Sequence, residues 1–150
     1  MTRYETVGRL ARTVVGWFYL SMAGVHLGIV AADPETYRQF ADGSYLGFVR
    51  TGWDTVFMAH PAVWGLALFA GETVLGMCLL AGGRWAKAGW IGVIAFHLAL
   101  MLFGVGVWLW CLPALAVLVP VARADWSGLS GVPRVAAPPM SEGVCERLNR

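Results

Sequence analysis

Long apolar stretches dominate this chain, and their lengths predict membrane-spanning helices. Residues 13–32 and 61–82 each provide the roughly 20 mostly apolar positions that a helix needs to cross a bilayer. Residues 86–122 contain only one charged residue, Lys87 near their start. As a single helix this block would extend about 55 Å, nearly twice a hydrocarbon core of about 30 Å. We therefore expect it to contain two spans.

Glycine marks the point at which this last block divides. Residues 104–106 read Gly-Val-Gly and permit a tight turn, because glycine adopts backbone conformations that other residues avoid. We predict a third span over about residues 88–103 and a fourth over about residues 107–121, the latter bent at Pro113 and Pro120. The predicted fold class is all-α, a bundle of four transmembrane helices with a long outer connection between the first and the second.

The connection over residues 33–60 is the one long loop that this pattern predicts. Asp33 followed by Pro34 is typical of a helix start, with aspartate as the N-cap and proline in the first turn. Aromatic and polar residues alternate in the rest of the segment, which is typical of the membrane interface. Two interpretations stay open: a connector lying on the membrane surface, or a lid over a site at the mouth of the bundle.

Basic residues are distributed unevenly among the predicted loops, and this sets the expected orientation. Lys and Arg precede the first span, separate the second from the third and follow the fourth, whereas the long connection is rich in Asp and Glu. The positive-inside rule then predicts that both termini lie in the cytoplasm, and the expected location is the cell (inner) membrane. We expect residues 1–124 to form the membrane domain, and residues 125–150, with their prolines, serines and glycines, to form a weakly structured cytoplasmic tail.

Composition narrows the range of partners. Only 13% of the residues are charged, about half the share typical of soluble domains, so the expected partner is the lipid bilayer. A net charge of +2 is too small to indicate a nucleic-acid partner.

The three cysteines do not indicate a disulfide framework. Cys78 and Cys111 fall near opposite faces of the predicted bundle, whereas bridged cysteines have Cα atoms within about 7 Å.

Glu72 is the only charged residue in the apolar stretch 61–83. A carboxylate in mid-membrane costs roughly 2.5–3.5 kcal/mol on insertion scales, so it normally faces the protein interior. At about 1.5 Å per residue, Glu72 and His97 share a level at mid-membrane, and His26 lies about one turn further out. Tyr19 lies two turns from His26 on the same helix face. We therefore expect Glu72 to face the interior, within reach of both histidines.

Three interpretations of this cluster are open. In the first, Glu72 is a buried hydrogen-bonded group, charged or neutral, that fixes the helix register. In the second, Glu72, His97 and His26 exchange protons with a quinone-like head group. The candidates for lining its cavity are Tyr19, Phe69 and Gly76. In the third, His26 and His97 bind a metal or haem. Their different levels and the lack of a second matched pair disfavour that option, so no metal site is predicted.

The second span also carries a family resemblance. It reads Glu72-x-x-x-Gly76-x-x-Leu79-x-x-Gly82, followed by Arg84. This pattern resembles the DoxX-like family of small four-helix integral membrane proteins. The resemblance covers residues 14–121 and includes a similar opening helix, with these residues: Gly16, Tyr19, Ala23, Gly24 and His26.

The resemblance implies a membrane subunit associated with oxidoreductases. Some relatives are subunits of thiosulfate:quinone oxidoreductases, and others are linked to thiol and oxidative-stress redox systems. Quinone is therefore the implied cofactor, and a soluble or membrane redox protein is the implied partner. We predict a role in a membrane redox process, with an intramembrane Glu/His proton site. Two alternatives stay open: a small proton-coupled transporter, and a non-catalytic membrane scaffold for a partner enzyme.

Overall fold

The computed structural model describes residues 3–129 and is all-α, with no strand in that range, so the predicted fold class is confirmed. Its helices are α1 (Arg3–Ala32), α2 (Gly47–Gly52), α3 (Pro61–Ala81), α4 (Gly83–Leu100) and α5 (Val105–Leu129). All except the short α2 are long and apolar enough to cross a bilayer. The protein is therefore a four-helix membrane protein.

The four spans form a closed bundle in which α1 packs against α3, α3 against α4, α4 against α5 and α5 against α1. Successive spans run in opposite directions. One end of the bundle, the connection end, carries residues 33–60 and the turn between α4 and α5. The other end, the terminal end, carries the start of α1, the turn between α3 and α4, and the last turns of α5. The outer surface holds large exposed apolar side chains, such as Leu10, Val63, Leu109 and Val117, as a lipid-facing surface requires.

Helix boundaries differ from the predicted ones at the third and fourth spans. Helix α4 begins at Gly83, earlier than predicted, because the chain reverses at Gly82 (φ 78°) and the basic residues after it lie within the helix. The predicted break is present: a 3-10 turn over Met101–Phe103 leads to Gly104, which has φ 100°. Helix α5 continues past both of its prolines to Leu129. The remainder of the predicted tail, residues 130–150, lies outside the described residues.

A buried carboxylate ties three spans together at the terminal end. Asp125, at the start of the predicted tail, lies in α5 with its side chain only 6% exposed. Its Oδ2 accepts a hydrogen bond from the indole Nε1 of Trp90 at 2.9 Å and lies 3.5 Å from Nη1 of Arg12. Because Trp90 belongs to α4 and Arg12 to α1, this carboxylate holds three helices at their terminal ends.

Close packing continues through the terminal half of the bundle. An added Cβ at Gly76 would lie 2.8 Å from the carbonyl oxygen of Gly16, which shows how closely α1 and α3 approach. Leu79, Trp90 and Val93 are fully buried in the same half. The connection half lacks comparable packing along the bundle axis, and the cavity described below lies there.

The connection folds onto the bundle. Asp33 is an N-cap as predicted: its Oδ1 accepts a hydrogen bond from the backbone N–H of Glu35 at 3.0 Å, and a 3-10 helix follows over Pro34–Ala41. Further along, Ser44 is buried and its hydroxyl donates to the carbonyl of Leu102 at 2.7 Å. After α2, a π-helical turn over Trp53–Phe57 leads back towards α3. These contacts fasten the connection to the turn between α4 and α5.

Candidate functional site

A cavity of about 700 Å³ lies in the connection half of the bundle. This volume falls within the range of roughly 300–1,000 Å³ that is usual for small-molecule sites. All four spans contribute to its wall, but α5 does so through Trp110 alone. The connection supplies four aromatic side chains to the wall: Tyr37, Phe40, Trp53 and Phe57. The cavity therefore has a mainly aromatic wall, and the connection covers part of it. This holds whether or not the connection also lies on the membrane surface.

Glu72 lines this cavity and is 4% exposed. It lies on the face of α3 that also carries the buried glycines Gly65 and Gly76. These glycines bring α3 close to α1, since Gly65 lies against Val30 and Gly76 lies against the Gly16 carbonyl. Because Gly65 and Gly76 have no side chains, this face of α3 packs closely against α1, and the carboxyl group of Glu72 on the same face points into the bundle.

The two carboxyl oxygens of Glu72 have different surroundings. Oε1 lies 3.6 Å from Nε2 of His26, an ion-pair distance that is longer than a normal hydrogen bond. Oε2 is buried and has no hydrogen-bond partner among the described residues. A buried acceptor without a partner costs about 1–3 kcal/mol, and more when it is charged. This oxygen is therefore the strongest indication of a bound molecule in the structure.

His26 links Glu72 to the connection. Its Nδ1 lies 2.7 Å from the hydroxyl of Tyr37, and the two rings stack with centroids 5.8 Å apart. Burial and the nearby charge of Glu72 raise the pKa of Tyr37, so its hydroxyl keeps a proton to donate. With Tyr37 donating to Nδ1, a neutral His26 carries its own proton on Nε2, facing Glu72. The three side chains thus form a continuous polar chain from the connection to the carboxyl group.

His97 lines the same cavity and is paired with Tyr19. Its Nδ1 lies 3.2 Å from the Tyr19 hydroxyl and 2.9 Å from the carbonyl oxygen of Val93. Both side chains are nearly completely buried, at 2% exposure for Tyr19 and 4% for His97. The cavity therefore has two polar groups, one built around Glu72 and one around the Tyr19–His97 pair.

The packing of α3 against α4 sets the relative depth of Glu72 and His97. An added Cβ at Gly92 would meet the side chain of Leu75, so these two residues lie opposite each other. The two helices are antiparallel, so a step of three residues towards the connection end leads from Leu75 back to Glu72 on α3 and from Gly92 forward to residue 95 on α4. His97 is thus within about 3 Å of the level of Glu72. Among the described residues, the ion-pair partner of the Glu72 carboxyl group is nevertheless His26.

The residues expected to line the cavity separate into two groups. Tyr19 lines it, together with Glu72, His26 and His97. Phe69 and Gly76 are not among the lining residues, and the α3 positions that do line the cavity beside Glu72 are Trp64, Ala67 and Leu68. Gly76 instead forms the close contact with α1. Among residues 3–129, no group of three or more His, Cys, Asp or Glu side chains is placed to hold a metal ion.

Tyr37 is the site residue that sequence reasoning missed. Its position in a loop gave no indication of depth, although the aromatic content of that loop indicated contact with the bundle or the interface. In the structure its backbone carbonyl accepts a hydrogen bond from Nε1 of Trp53 at 2.9 Å, and its ring packs edge-on against Phe57. Contacts within the connection therefore fix the position of Tyr37, and its side chain extends to His26.

Comparison of the chain with protein-family models, with curated proteins and with solved structures finds no match. The chemistry of the cavity is thus what bears on function. Its wall suits a flat apolar ring, and its polar groups can hydrogen-bond to oxygens on that ring and exchange protons with it.

Proposed function

We propose that this protein is a membrane subunit of a quinone-linked redox process, of the DoxX-like kind, and that a quinone ring binds in the cavity beside Glu72. The observation that carries this proposal is the buried Oε2 of Glu72, which lines an aromatic cavity and has no partner among the described residues. An oxygen of a bound ring would supply that partner, because a ring hydroxyl of the quinol donates to the ionised carboxylate and a ring carbonyl of the quinone accepts from the protonated carboxyl group. The aromatic wall would stack against the ring.

Glu72 has the role of proton donor and acceptor in this proposal. When a ring oxygen gains or loses a proton, the adjacent carboxyl group is the nearest group able to supply or accept it. His26 lies 3.6 Å from Oε1 and 2.7 Å from Tyr37, so it can pass a proton between the carboxyl group and the connection. Tyr37 is the outermost member of this chain, and the proton exchanges with water on the connection side.

Orientation and partners complete the proposal. The distribution of Lys and Arg favours an inner-membrane location with both termini in the cytoplasm. The connection and Tyr37 then lie on the outer side, and protons are exchanged there. Electrons pass between the ring and a soluble or membrane redox partner, with which this chain forms a complex.

Replacing Glu72 with glutamine tests the proposal. We expect the purified wild-type protein in nanodiscs to bind a short-chain quinone, added in its reduced quinol form, saturably and with quenching of the tryptophans that line the cavity. The E72Q variant should bind it at least tenfold more weakly, because a hydrogen bond to a charged group contributes about 1.5–3 kcal/mol and about 1.4 kcal/mol is a factor of ten. Fluorescence titration measures both affinities.

A matched control separates the site from a general loss of charge. Glu35 is exposed in the connection, where it pairs with Arg38, and it does not line the cavity. The E35Q variant should bind quinone as the wild type does. Wild-type protein that shows no saturable quinone binding would overturn the proposal. In that case an effect of E72Q on stability alone would favour a scaffold, and substrate-dependent proton flux in liposomes would favour a transporter.

A further inference from the structure

We propose that Tyr19 is a second ligand-binding residue of the cavity, and that its hydroxyl donates a hydrogen bond to a carbonyl oxygen of the bound ring. This inference rests on the proposed function and names the ligand more closely: a ring with two oxygens, one held at Glu72 and one at Tyr19.

The carbonyl oxygen of Val93 determines which nitrogen of His97 carries a proton. A carbonyl oxygen only accepts hydrogen bonds, and it lies 2.9 Å from Nδ1 of His97. Nδ1 must therefore carry a proton and donate it. An unprotonated Nδ1 would instead direct its lone pair at the lone pairs of the carbonyl oxygen, which is repulsive.

The same proton determines the direction of the contact with Tyr19. The Tyr19 oxygen lies 3.2 Å from Nδ1, and since Nδ1 is a donor, that oxygen accepts. The hydroxyl proton of Tyr19 is then not used in this contact. Tyr19 makes no other hydrogen bond among the described residues. Accepting from His97 also polarises the hydroxyl and makes it a stronger donor.

Tyr19 therefore presents a buried donor at the wall of the cavity. The residue is 2% exposed and lines the cavity, so its hydroxyl faces the cavity rather than the outer surface of the bundle. A buried donor without an acceptor is unfavourable, as is the Oε2 of Glu72 without a donor. A single ligand can satisfy both if it offers an acceptor oxygen to Tyr19 and a second oxygen that shares a proton with the Glu72 carboxyl group, either as a ring hydroxyl that donates to the carboxylate or as a ring carbonyl that accepts from the protonated carboxyl group. Rings with two oxygens, such as quinones, have this composition, whereas hydrocarbons and fatty acyl chains do not.

Comparing two probes on a Tyr19→Phe variant tests the inference. Naphthoquinone has two ring carbonyls, and naphthol has the same ring system with a single hydroxyl, which can donate to Glu72. We expect Y19F to bind naphthoquinone about fivefold to tenfold more weakly than the wild type, the effect of losing about one hydrogen bond. Its affinity for naphthol should change less than twofold. Fluorescence titration of the full chain in nanodiscs measures both.

Two controls make the outcome specific. Tyr45 is 72% exposed and lies away from the cavity wall, so Y45F should bind both probes as the wild type does. His97→Asn retains an amide N–H that can take the place of Nδ1 opposite the Val93 carbonyl, and it should keep the preference for naphthoquinone. His97→Leu cannot donate, and it should weaken that preference, because the Tyr19 hydroxyl is then neither held as an acceptor from position 97 nor polarised. If Y19F does not fold, the comparison of His97→Asn with His97→Leu tests whether the Tyr19 hydroxyl donates to the ring.

The possible results distinguish this inference from the proposed function. If Y19F leaves naphthoquinone affinity unchanged, or weakens both probes equally, Tyr19 has only a packing role and the inference is wrong. The proposed function then still stands, provided that the wild type binds the short-chain quinol and E72Q weakens that binding. If the wild type binds neither probe, the proposed function and the inference both fail.

Discussion

Replacing Gly104 with alanine is expected to destabilise the protein by about 3 kcal/mol or more. Gly104 has φ 100°, a conformation that costs a residue with a side chain about 1–3 kcal/mol. In addition, a Cβ at this position would overlap the carbonyl oxygen of Gly43 in the connection. Relieving such overpacking typically costs a further 1–3 kcal/mol or so, because backbone has to move. Denaturant unfolding in detergent, followed by tryptophan fluorescence, measures the loss.

The neighbouring glycine of the same turn provides the control. Gly106 lies in the first turn of α5, and an added Cβ would have no neighbour within 4 Å. The Gly106→Ala variant should be as stable as the wild type or slightly more stable, because alanine favours helix. Equal losses at both positions would show that the contact between Gly43 and Gly104 does not hold the connection on the bundle. The cover of the cavity would then have to be explained in another way.

Replacing Gly76 with valine is expected to cost about 3 kcal/mol. The new Cβ alone would lie 2.8 Å from the carbonyl oxygen of Gly16 and 2.8 Å from Cγ of Leu20, so α1 and α3 must move apart. The β-branched side chain adds two more methyl groups to this crowded contact. Because Glu72 is one turn away on the same face, the separation of its carboxyl group from His26 should also increase. We expect quinone affinity to fall together with stability.

Gly71 is the matched position for this change. It lies in α3 next to Glu72 in sequence, but an added Cβ there would meet nothing within 4 Å. The Gly71→Val variant should change stability by less than about 1 kcal/mol, because valine is no poorer a helix former than glycine and meets no neighbour there. Thermal unfolding in detergent compares the two variants. If G71V and G76V lose the same stability, the close approach of α1 and α3 is not what holds Glu72 in place.

The architecture and the inward position of Glu72 could be predicted from the sequence because each depends on a local pattern. Apolar length determines whether a helix can cross a bilayer, and the four spans follow from it. The glycines at 65 and 76 lie on the same side of α3 as Glu72, and that spacing was enough to predict an interior carboxyl group. The shared level of Glu72 and His97 follows from counting residues, since the rise of a helix is constant.

Other features depend on contacts between segments that are distant in sequence. Tyr37 reaches His26 only because the connection folds back over the bundle, and no periodicity in residues 33–60 indicates that fold. Asp125 resembles an ordinary interfacial residue, but it is buried because Trp90 and Arg12 come together around it. The pairing of His97 with Tyr19 depends on side-chain rotamers, which residue counting does not provide.

Infrared difference spectroscopy of the quinone-loaded protein is the most direct test of a proton exchange between Glu72 and the bound ring. The quinone is reduced electrochemically in the wild type, in E72Q and in the control E35Q, and the carboxyl stretching region is recorded. A carboxyl signal should accompany reduction in the wild type and in E35Q, and it should be absent in E72Q. Reduction of bound quinone without any carboxyl signal, or with a signal that persists in E72Q, would contradict the assignment of Glu72 as the proton-exchanging group.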